Sequence, residues 1–238
     1  MVTKNQIKLI KSLALKKNRI KHQLFVAEGV KIAEELLNSD YEIVSLFATR
    51  EWIARNTFDT VIQVSNSELS RISNLKSSNE VLMLVKIKKH QIIDDEGIIL
   101  VLDDINDPGN LGTIIRMCDW FRVKQIICSK NTVDNYNPKV VQSAMGSVFR
   151  VNVIYIDLSD YLSNVEKPIY GAYMDGDNVR DISFSKDLHL VMGNEANGIS
   201  KEISQYISSN VAIKNIGNSA ESLNVAVATS ILLHEICS

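Results

Sequence analysis

The sequence predicts an α/β protein in two parts: a C-terminal, mostly parallel sheet covered by helices on both faces, preceded by a small α/β domain. Three observations predict it. Short apolar runs alternate with helical stretches along the chain, most strictly in the C-terminal part, as in parallel sheets buried on both sides. Residues 1–96 hold one glycine and no proline, whereas the remainder holds nine glycines and all three prolines. The charged stretch Lys88-Lys-His-Gln-Ile-Ile-Asp-Asp-Glu-Gly97 separates the apolar runs 81–87 and 98–102, so domains are expected at 1–90 and 97–238.

The N-terminal part opens with Thr3 and Gln6 in capping-box spacing, followed by Ile7, Ile10, Leu13 and Ala14 on one helical face, with Lys4, Lys8 and Lys11 off it. Strands are then expected at 24–27, 43–48, 61–64 and 81–87, and helices at 30–37 and 68–75. No cluster of catalytic groups accompanies them, which describes a domain that binds or positions something. In the C-terminal part, strands are expected at 98–102, 125–128, 151–156, 169–173, 188–192 and 211–213. Helices are expected near 110–121, 137–146, 158–165, 199–208 and 222–236.

A chain of 238 residues with 45% hydrophobic content can bury one large core or two modest ones. Cys118, Cys128 and Cys237 form no CxxC pair, and their odd number argues for a reducing cytosol; no apolar run approaches the length needed to span a bilayer, so a soluble cytoplasmic protein is expected, with no membrane partner. The net charge of -2 hides an asymmetry: residues 1–31 carry Lys4, Lys8, Lys11, Lys16, Lys17, Arg19, Lys21 and Lys31 against the single acid Glu28. Such a patch suits a phosphate backbone, or is a solvated lysine-rich helix; charge alone leaves both open.

Three polar, glycine-bearing clusters interrupt the apolar pattern: Asp107-Pro-Gly-Asn-Leu-Gly-Thr-Ile-Ile-Arg116, Met192-Gly-Asn-Glu-Ala-Asn-Gly-Ile199 and Ala220-Glu-Ser-Leu-Asn-Val-Ala-Val-Ala228. A core gains nothing from burying such groups unpaired, and each cluster follows an expected strand, at the end where parallel sheets bind ligands. One shared site is the economical reading. Asp107 and Pro108 have the form of a helix cap with proline at the first position, and Gly109 and Gly112 leave backbone unshielded beside Asn110. The second cluster brings Glu195 to a strand tip. In the third, Ser222 or Asn224 can cap the apolar helix that follows, although one cap does not account for both of them and Glu221.

Several chemistries lack their residues. No Gly-Lys-Ser/Thr phosphate loop and no GxGxxG following a strand is present. His22, His90, His189 and His234 all lie outside the clusters and no G-x-S-x-G elbow exists, so Ser222 has no hydrolytic partners. No HExxH or paired Cys-x-x-Cys set supports a metal site, and Asp103 with Asp104 reads as a strand-end pair.

Taken in series over 98–236, the three clusters closely resemble the signature motifs of the SpoU, or TrmH-like, family of RNA ribose 2'-O-methyltransferases of the SPOUT class. Phe25-Val-Ala-Glu-Gly-Val-Lys31 likewise resembles the opening of that family's RNA substrate-binding domain, a fold similar to ribosomal protein L30. The resemblance implies methyl transfer from S-adenosylmethionine to a ribose 2'-hydroxyl in ribosomal or transfer RNA, a trefoil-knotted C-terminal domain and a homodimer. It places Asn110, Arg116, Glu195, Ser222 and Asn224 in the catalytic site, and Ala144, Gly146, Met192, Gly193, Asn194, Ile213, Ser222 and Leu223 around the cofactor. A non-catalytic RNA-binding scaffold that keeps the fold is the alternative.

Three positions depart from the family pattern. Arg122 stands where many relatives have glycine after an aromatic, Gln142 where many have arginine before Ser143-Ala-Met-Gly146, and Lys214 where many have proline after Ile213. Arg116 is the residue the resemblance puts nearest the reacting hydroxyl. A guanidinium is effectively always protonated and accepts no hydrogen bond, which favours electrostatic stabilisation over a base role. The apolar helix after Asn224 suits an internal core or a dimer interface equally.

Overall fold

A computed structural model describes residues 1–58, 60–75, 77–93, 96–217 and 222–238. Ala220 and Glu221 of the third cluster, and Asp94 and Asp95 of the connecting stretch, lie outside the described residues. Two compact units form, one from Met1–Lys89 with Asp134–Phe149 and the other from His90–Val133 with Arg150–Ser238. The segment 134–149, expected in the C-terminal domain, thus packs within the first unit.

The first unit contains helices α1 (Lys4–Ser12), α2 (Lys16–His22), α3 (Val30–Leu37), α4 (Arg50–Ile53), α5 (Asn66–Ile72) and, from the later segment, α7 (Pro138–Ala144). Its strands are β1 (Leu24–Glu28), β2 (Ile43–Ala48), β3 (Ile62–Gln63) and β4 (Val81–Lys86), in the order β1-β4-β2-β3. The capping box of α1 forms as expected: Gln6 N donates to Thr3 Oγ1 at 3.2 Å and Thr3 N to Gln6 Oε1 at 2.9 Å. Alternation along β1 divides its side chains between two faces. Val26 joins Ile10, Leu13, Leu69 and Ile72 in one apolar cluster. Phe25 instead stacks on Tyr136, with ring centres 4.5 Å apart, and lies near Phe149. Tyr41 completes this second cluster, its hydroxyl 3.0 Å from that of Tyr136. Burial raises both phenol pKa values above their ordinary range.

Arg19 corrects the expected basic patch. Its side chain is 2% exposed and donates through Nε and Nη2 to Asp134 Oδ2, at 2.8 and 2.6 Å, and through Nη1 to the carbonyls of Leu13 and Ala14. A buried guanidinium needs such partners, so this charge fastens the α1–α2 turn to the 134–149 segment and is not offered to a ligand. Lys11 is also engaged, donating to the Ser73 carbonyl. Lys4, Lys8, Lys16, Lys17 and Lys21 remain exposed. Ala14, expected on the buried face, is exposed because α1 ends before it.

The second unit is built on six strands: β5 (Ile98–Leu102), β6 (Gln125–Ser129), β7 (Asn152–Ile156), β8 (Ile169–Asn178), β9 (Leu188–Met192) and β10 (Ser209–Ala212). They lie in the order β10-β8-β9-β5-β6-β7, and every pairing is parallel. Its helices are α6 (Pro108–Trp120), α8 (Leu158–Leu162), α9 (Lys201–Ser204) and α10 (Val225–Cys237). Ile99, Val101, Ile127 and Val191 pack with Leu158 and Leu162 of α8 and Ile203 of α9. Cys128, which alternates to the other face, neighbours Cys118 of α6, so helices cover both sides. Among the described residues, no helix is long and apolar enough to cross a membrane.

The observed elements differ from expectation mainly at their ends. Strand β8 continues beyond 173 but skips in register, pairing Asn210 with Gly171 and Val211 with Asp177. Helix α9 has only four residues, not the expected 199–208. Helix α10 starts at Val225, because Asn224 is its cap. The expected 137–146 helix divides into α7 and a 3-10 turn at Met145–Phe149.

Arg122 acquires a physical meaning here. Helix α6 ends in a Schellman arrangement: Val123 N donates to Cys118 O at 2.8 Å and Arg122 N to Asp119 O at 3.3 Å. That geometry puts Arg122 at φ 60°, where glycine carries no steric penalty. The side chain is exposed and makes no hydrogen bond to a described residue. Arg122→Gly is therefore expected to stabilise the protein by about 0.5–1 kcal/mol, after the entropy lost by adding a glycine is deducted. Urea unfolding checks this through a raised midpoint at constant slope; a lowered midpoint would show that the arginine stem contributes more than the strain costs.

Candidate active site

Strand pairing places two of the polar clusters side by side. Leu102, the last residue of β5, pairs with Met192, the last of β9, so the chain leaves the sheet at adjacent points before the first and second clusters. Asp107 caps α6 by accepting from Asn110 N at 2.9 Å, with Pro108 in the first turn as the sequence predicted. Asn224 caps α10, its Oδ1 accepting from Ala226 N at 3.0 Å and Val227 N at 3.3 Å.

The caps then meet. Asn224 Nδ2 donates to Asn110 Oδ1 at 2.9 Å, and Asn110 Nδ2 donates to Glu195 Oε1 at 2.8 Å. One residue from each cluster thus enters a single chain of hydrogen bonds. Its direction follows from its ends: Asn224 Oδ1 is held by the amides of α10, leaving Nδ2 to donate, and an ionised carboxylate at the far end can only accept. At the opposite end of the same two helices, the rings of Phe121 and His234 lie 6.3 Å apart. Helices α6 and α10 therefore run side by side in the same direction, with the positive ends of both helix dipoles gathered where Glu195 supplies a negative charge.

The loop bearing Glu195 is closed on itself. Asn194 N donates to Gly198 O at 3.0 Å and Gly198 N to Asn194 O at 2.8 Å. The Asn194 side chain accepts from Ala196 N and Asn197 N at 2.9 and 3.1 Å, while its Nδ2 donates to Asp104 O at 2.8 Å. A Cβ on Gly193 would fall 2.2 Å from Gly198 C, and Gly198 itself has φ 67°. Both glycines serve the tight closure. Asn194, expected at the cofactor, spends its side chain as the loop's fastener, leaving Glu195 exposed at the tip.

The other expected residues fall into distinct settings. Arg116 is exposed on α6 and makes no hydrogen bond or ion pair with any described residue. Ser222 is likewise exposed and without a described partner, and it does not cap α10. Leu223 is 50% exposed beside it, and half-buried Ile213 follows β10 directly. Met192 is buried, so only its backbone could meet a ligand. Ala144 and Gly146 are buried in the first unit, where a Cβ on Gly146 would fall 2.3 Å from Glu35 Cγ on α3. Packing accounts for that glycine. No group of three or more candidate metal ligands occurs among the described residues.

These site residues suit a sulfonium nucleoside. The 193–198 loop contains no basic side chain and presents the Glu195 carboxylate, which would favour a cationic ligand, while Ile216, at 91% exposure, and Leu223 offer apolar surface that an adenine could cover. The loops around Gly193, Ile213 and Leu223 would hold such a group. Asp103 and Asp104, read from sequence as a strand-end pair, both contact this loop region: Asp103 Oδ2 accepts from Ser200 N and the Asp104 carbonyl accepts from Asn194 Nδ2.

Comparison with known proteins agrees with the geometry. Residues 97–234 match the SpoU rRNA Methylase family and residues 4–83 match an MRM3-like substrate binding domain. The chain is 30% identical to the 23S rRNA (guanosine(2553)-2'-O)-methyltransferase RlmP of Bacillus subtilis, over 98% of this chain and 96% of that protein. A structure from Porphyromonas gingivalis, assigned to the TrmH family of RNA methyltransferases, superposes with TM-score 0.91 at 33% identity, covering 99% of this chain and 98% of that one. An AdoMet-bound rRNA methyltransferase from Sinorhizobium meliloti gives TM-score 0.88 at 29% identity, covering 99% and 95%. With the family pattern spanning more than half of its length, and its three motifs joined at one point, the chain belongs to the SpoU rRNA methylase family.

Proposed function

We propose that this chain transfers the methyl group of S-adenosylmethionine to a ribose 2'-hydroxyl of ribosomal RNA. The observation that carries the reading is the joined Glu195, Asn110 and Asn224 set, with Arg116, further along α6, exposed and without a partner among the described residues. Ribosomal RNA is preferred over transfer RNA because the similarity to RlmP runs through both units, whereas a TrmH/SpoU tRNA modifying enzyme from A. aeolicus matches 62% of this chain with TM-score 0.52. The three cysteines are free thiols, which suits a reducing cytoplasm.

Bound at the loops around Gly193, Ile213 and Leu223, the cofactor supplies a methyl group already activated by positive sulfur. The chain's own task is to align the ribose hydroxyl and stabilise the charge that develops on its oxygen. Asn224 orients Asn110, which donates to Glu195, and Ser222 is exposed at the start of the third motif, available to the ribose. Arg116 offers a planar fork of donors to an RNA phosphate and to the developing alkoxide. Incubation of ribosomal RNA with labelled cofactor, followed by digestion to nucleosides, tests the reaction. Label is expected on ribose; label on a base defeats the reading, and cofactor binding without turnover favours the scaffold alternative.

Arg116→Ala is expected to slow single-turnover methylation at saturating RNA by about 10²–10³, corresponding to roughly 3 kcal/mol for a lost preorganised charge. Arg116→Lys should retain part of that rate by keeping the charge without the fork. Calorimetric cofactor affinity should change little in either. Wild-type turnover in the alanine variant would remove Arg116 from the mechanism.

The exposed lysines of α1 and α2 are assigned to RNA contact, since Arg19 and Lys11 are committed internally and no acid interrupts residues 1–27. Replacing Lys8, Lys17 and Lys21 together with Ala should weaken RNA binding and flatten its log–log salt dependence by roughly two units, with cofactor binding unaffected. An unchanged salt slope would mean that these lysines are only solvated.

A homodimer is also part of the reading. Helices α6 and α10 present Trp120 at 79% and Val227 at 48% exposure, large apolar groups on elements whose inner faces are already packed. Sedimentation should show twice the 26.7 kDa chain mass, and Trp120→Glu should shift the protein toward monomer. A wild type that sediments as monomer throughout the working concentration range overturns the dimer.

A further inference from the structure

We infer that Asp103 is a positioning residue for the proposed methyl transfer, holding the Glu195 loop from behind; this rests on the function proposed above. Asp103 lies at the end of β5 and is 7% exposed. Its Oδ2 accepts from Ser200 N at 2.8 Å, just beyond the loop, and its own N–H donates to Met192 O at 2.9 Å, just before it. One residue therefore grips the chain on both sides of the 193–198 loop.

Its neighbour completes the hold. Asp104 has φ 60°, an uncommon conformation for a side-chain-bearing residue. Its N–H donates to Ser129 Oγ at 2.9 Å, and its carbonyl accepts from Asn194 Nδ2 at 2.8 Å. The left-handed turn aims that carbonyl at the side chain that fastens the loop internally. A strained residue persists where its surroundings determine it, and here those surroundings include the second motif.

The geometry gives a route from Asp103 to the reacting centre. The loop is closed by the paired bonds between Asn194 and Gly198, so it moves as one piece. Fixing Met192, Asn194 and Ser200 fixes the tip, and Glu195 at the tip meets Asn110. Asp103 needs no contact with RNA or cofactor to act. Releasing Ser200 frees the far end of the loop, and the hydrogen-bond chain from Asn224 through Asn110 loses a fixed acceptor.

A double-mutant cycle with Glu195→Ala distinguishes this role from general support of the fold. Single-turnover methylation of ribosomal RNA is measured for wild type, Asp103→Ala, Glu195→Ala and the double variant, with circular dichroism verifying that each is folded. Asp103→Ala is expected to slow wild type by roughly 10- to 100-fold but the Glu195→Ala protein by less than about 3-fold, because its effect passes through Glu195. Asp103→Asn keeps an acceptor for Ser200 N and should restore most of the rate, which also guards against misfolding of the alanine variant. Hydrogen exchange provides a readout independent of turnover: the Ser200, Ala196 and Asn197 amides should exchange faster in Asp103→Ala and regain protection in Asp103→Asn. An equal loss in both Glu195 backgrounds, or unchanged exchange in the loop, overturns the inference. Absence of methylation by the wild type, with the exchange difference present, would defeat the proposed reaction while leaving Asp103 as the anchor of this loop.

Discussion

The start of α10 imposes the constraint around which the catalytic unit is organised. Its first-turn amides have no partner within the helix, and the apolar sequence that follows commits the helix to packing. Asn224 accepts from two of those amides and, in doing so, has only its Nδ2 left to offer. That donor selects the carbonyl oxygen of Asn110, whose amide nitrogen then selects Glu195. A local requirement of helix capping is converted into an ordered arrangement of three residues far apart in sequence. The separate bonds are exposed and each contributes only about 1 kcal/mol, so their value lies more in direction than in stability.

The same economy appears in the second motif. Asn194 and the two glycines close the loop, and Glu195 is the side chain it presents. A loop that satisfies its own backbone can remain exposed without collapsing onto the sheet. The positive ends of α6 and α10 and the Glu195 carboxylate then oppose each other at one place. Arg116 stays outside this balance, exposed on α6 and without a described partner.

The first unit uses a different device. Its sheet is buried on both faces, so the segment 134–149 must supply apolar surface, and Tyr136 and Phe149 do so against Phe25. Polar groups inside that packing are matched: the Tyr41 and Tyr136 hydroxyls face each other, and Arg19 finds Asp134 and two carbonyls. Truncating Asp134 would leave a buried guanidinium without its counter-charge, a change that typically costs about 3–5 kcal/mol. Arg19 thus contributes to structure with a charge that composition alone places either in a binding surface or on a solvated helix.

Sequence by itself determined the alternation of strands and helices, the parallel sheet and the three clusters at the strand ends, because apolar periodicity and turn residues are local signals. The Thr3 and Asp107 caps were legible for the same reason: each cap and its amide lie within three residues. Tertiary structure alone decided that Arg19 is buried, since its partner Asp134 is 115 residues away. It decided between Ser222 and Asn224 as the cap of α10, because the helix begins at Val225 and the Asn224 side chain reaches its first amides. It also gave Asp103 a partner in Ser200, 97 residues on, where the sequence offered only two acids at the end of a strand. The positive φ of Arg122 belongs between these cases: the departure from glycine is visible in the chain, but its strain follows from how α6 ends. Local patterns specify elements; the bonds that join their ends depend on sheet order, which no local pattern contains.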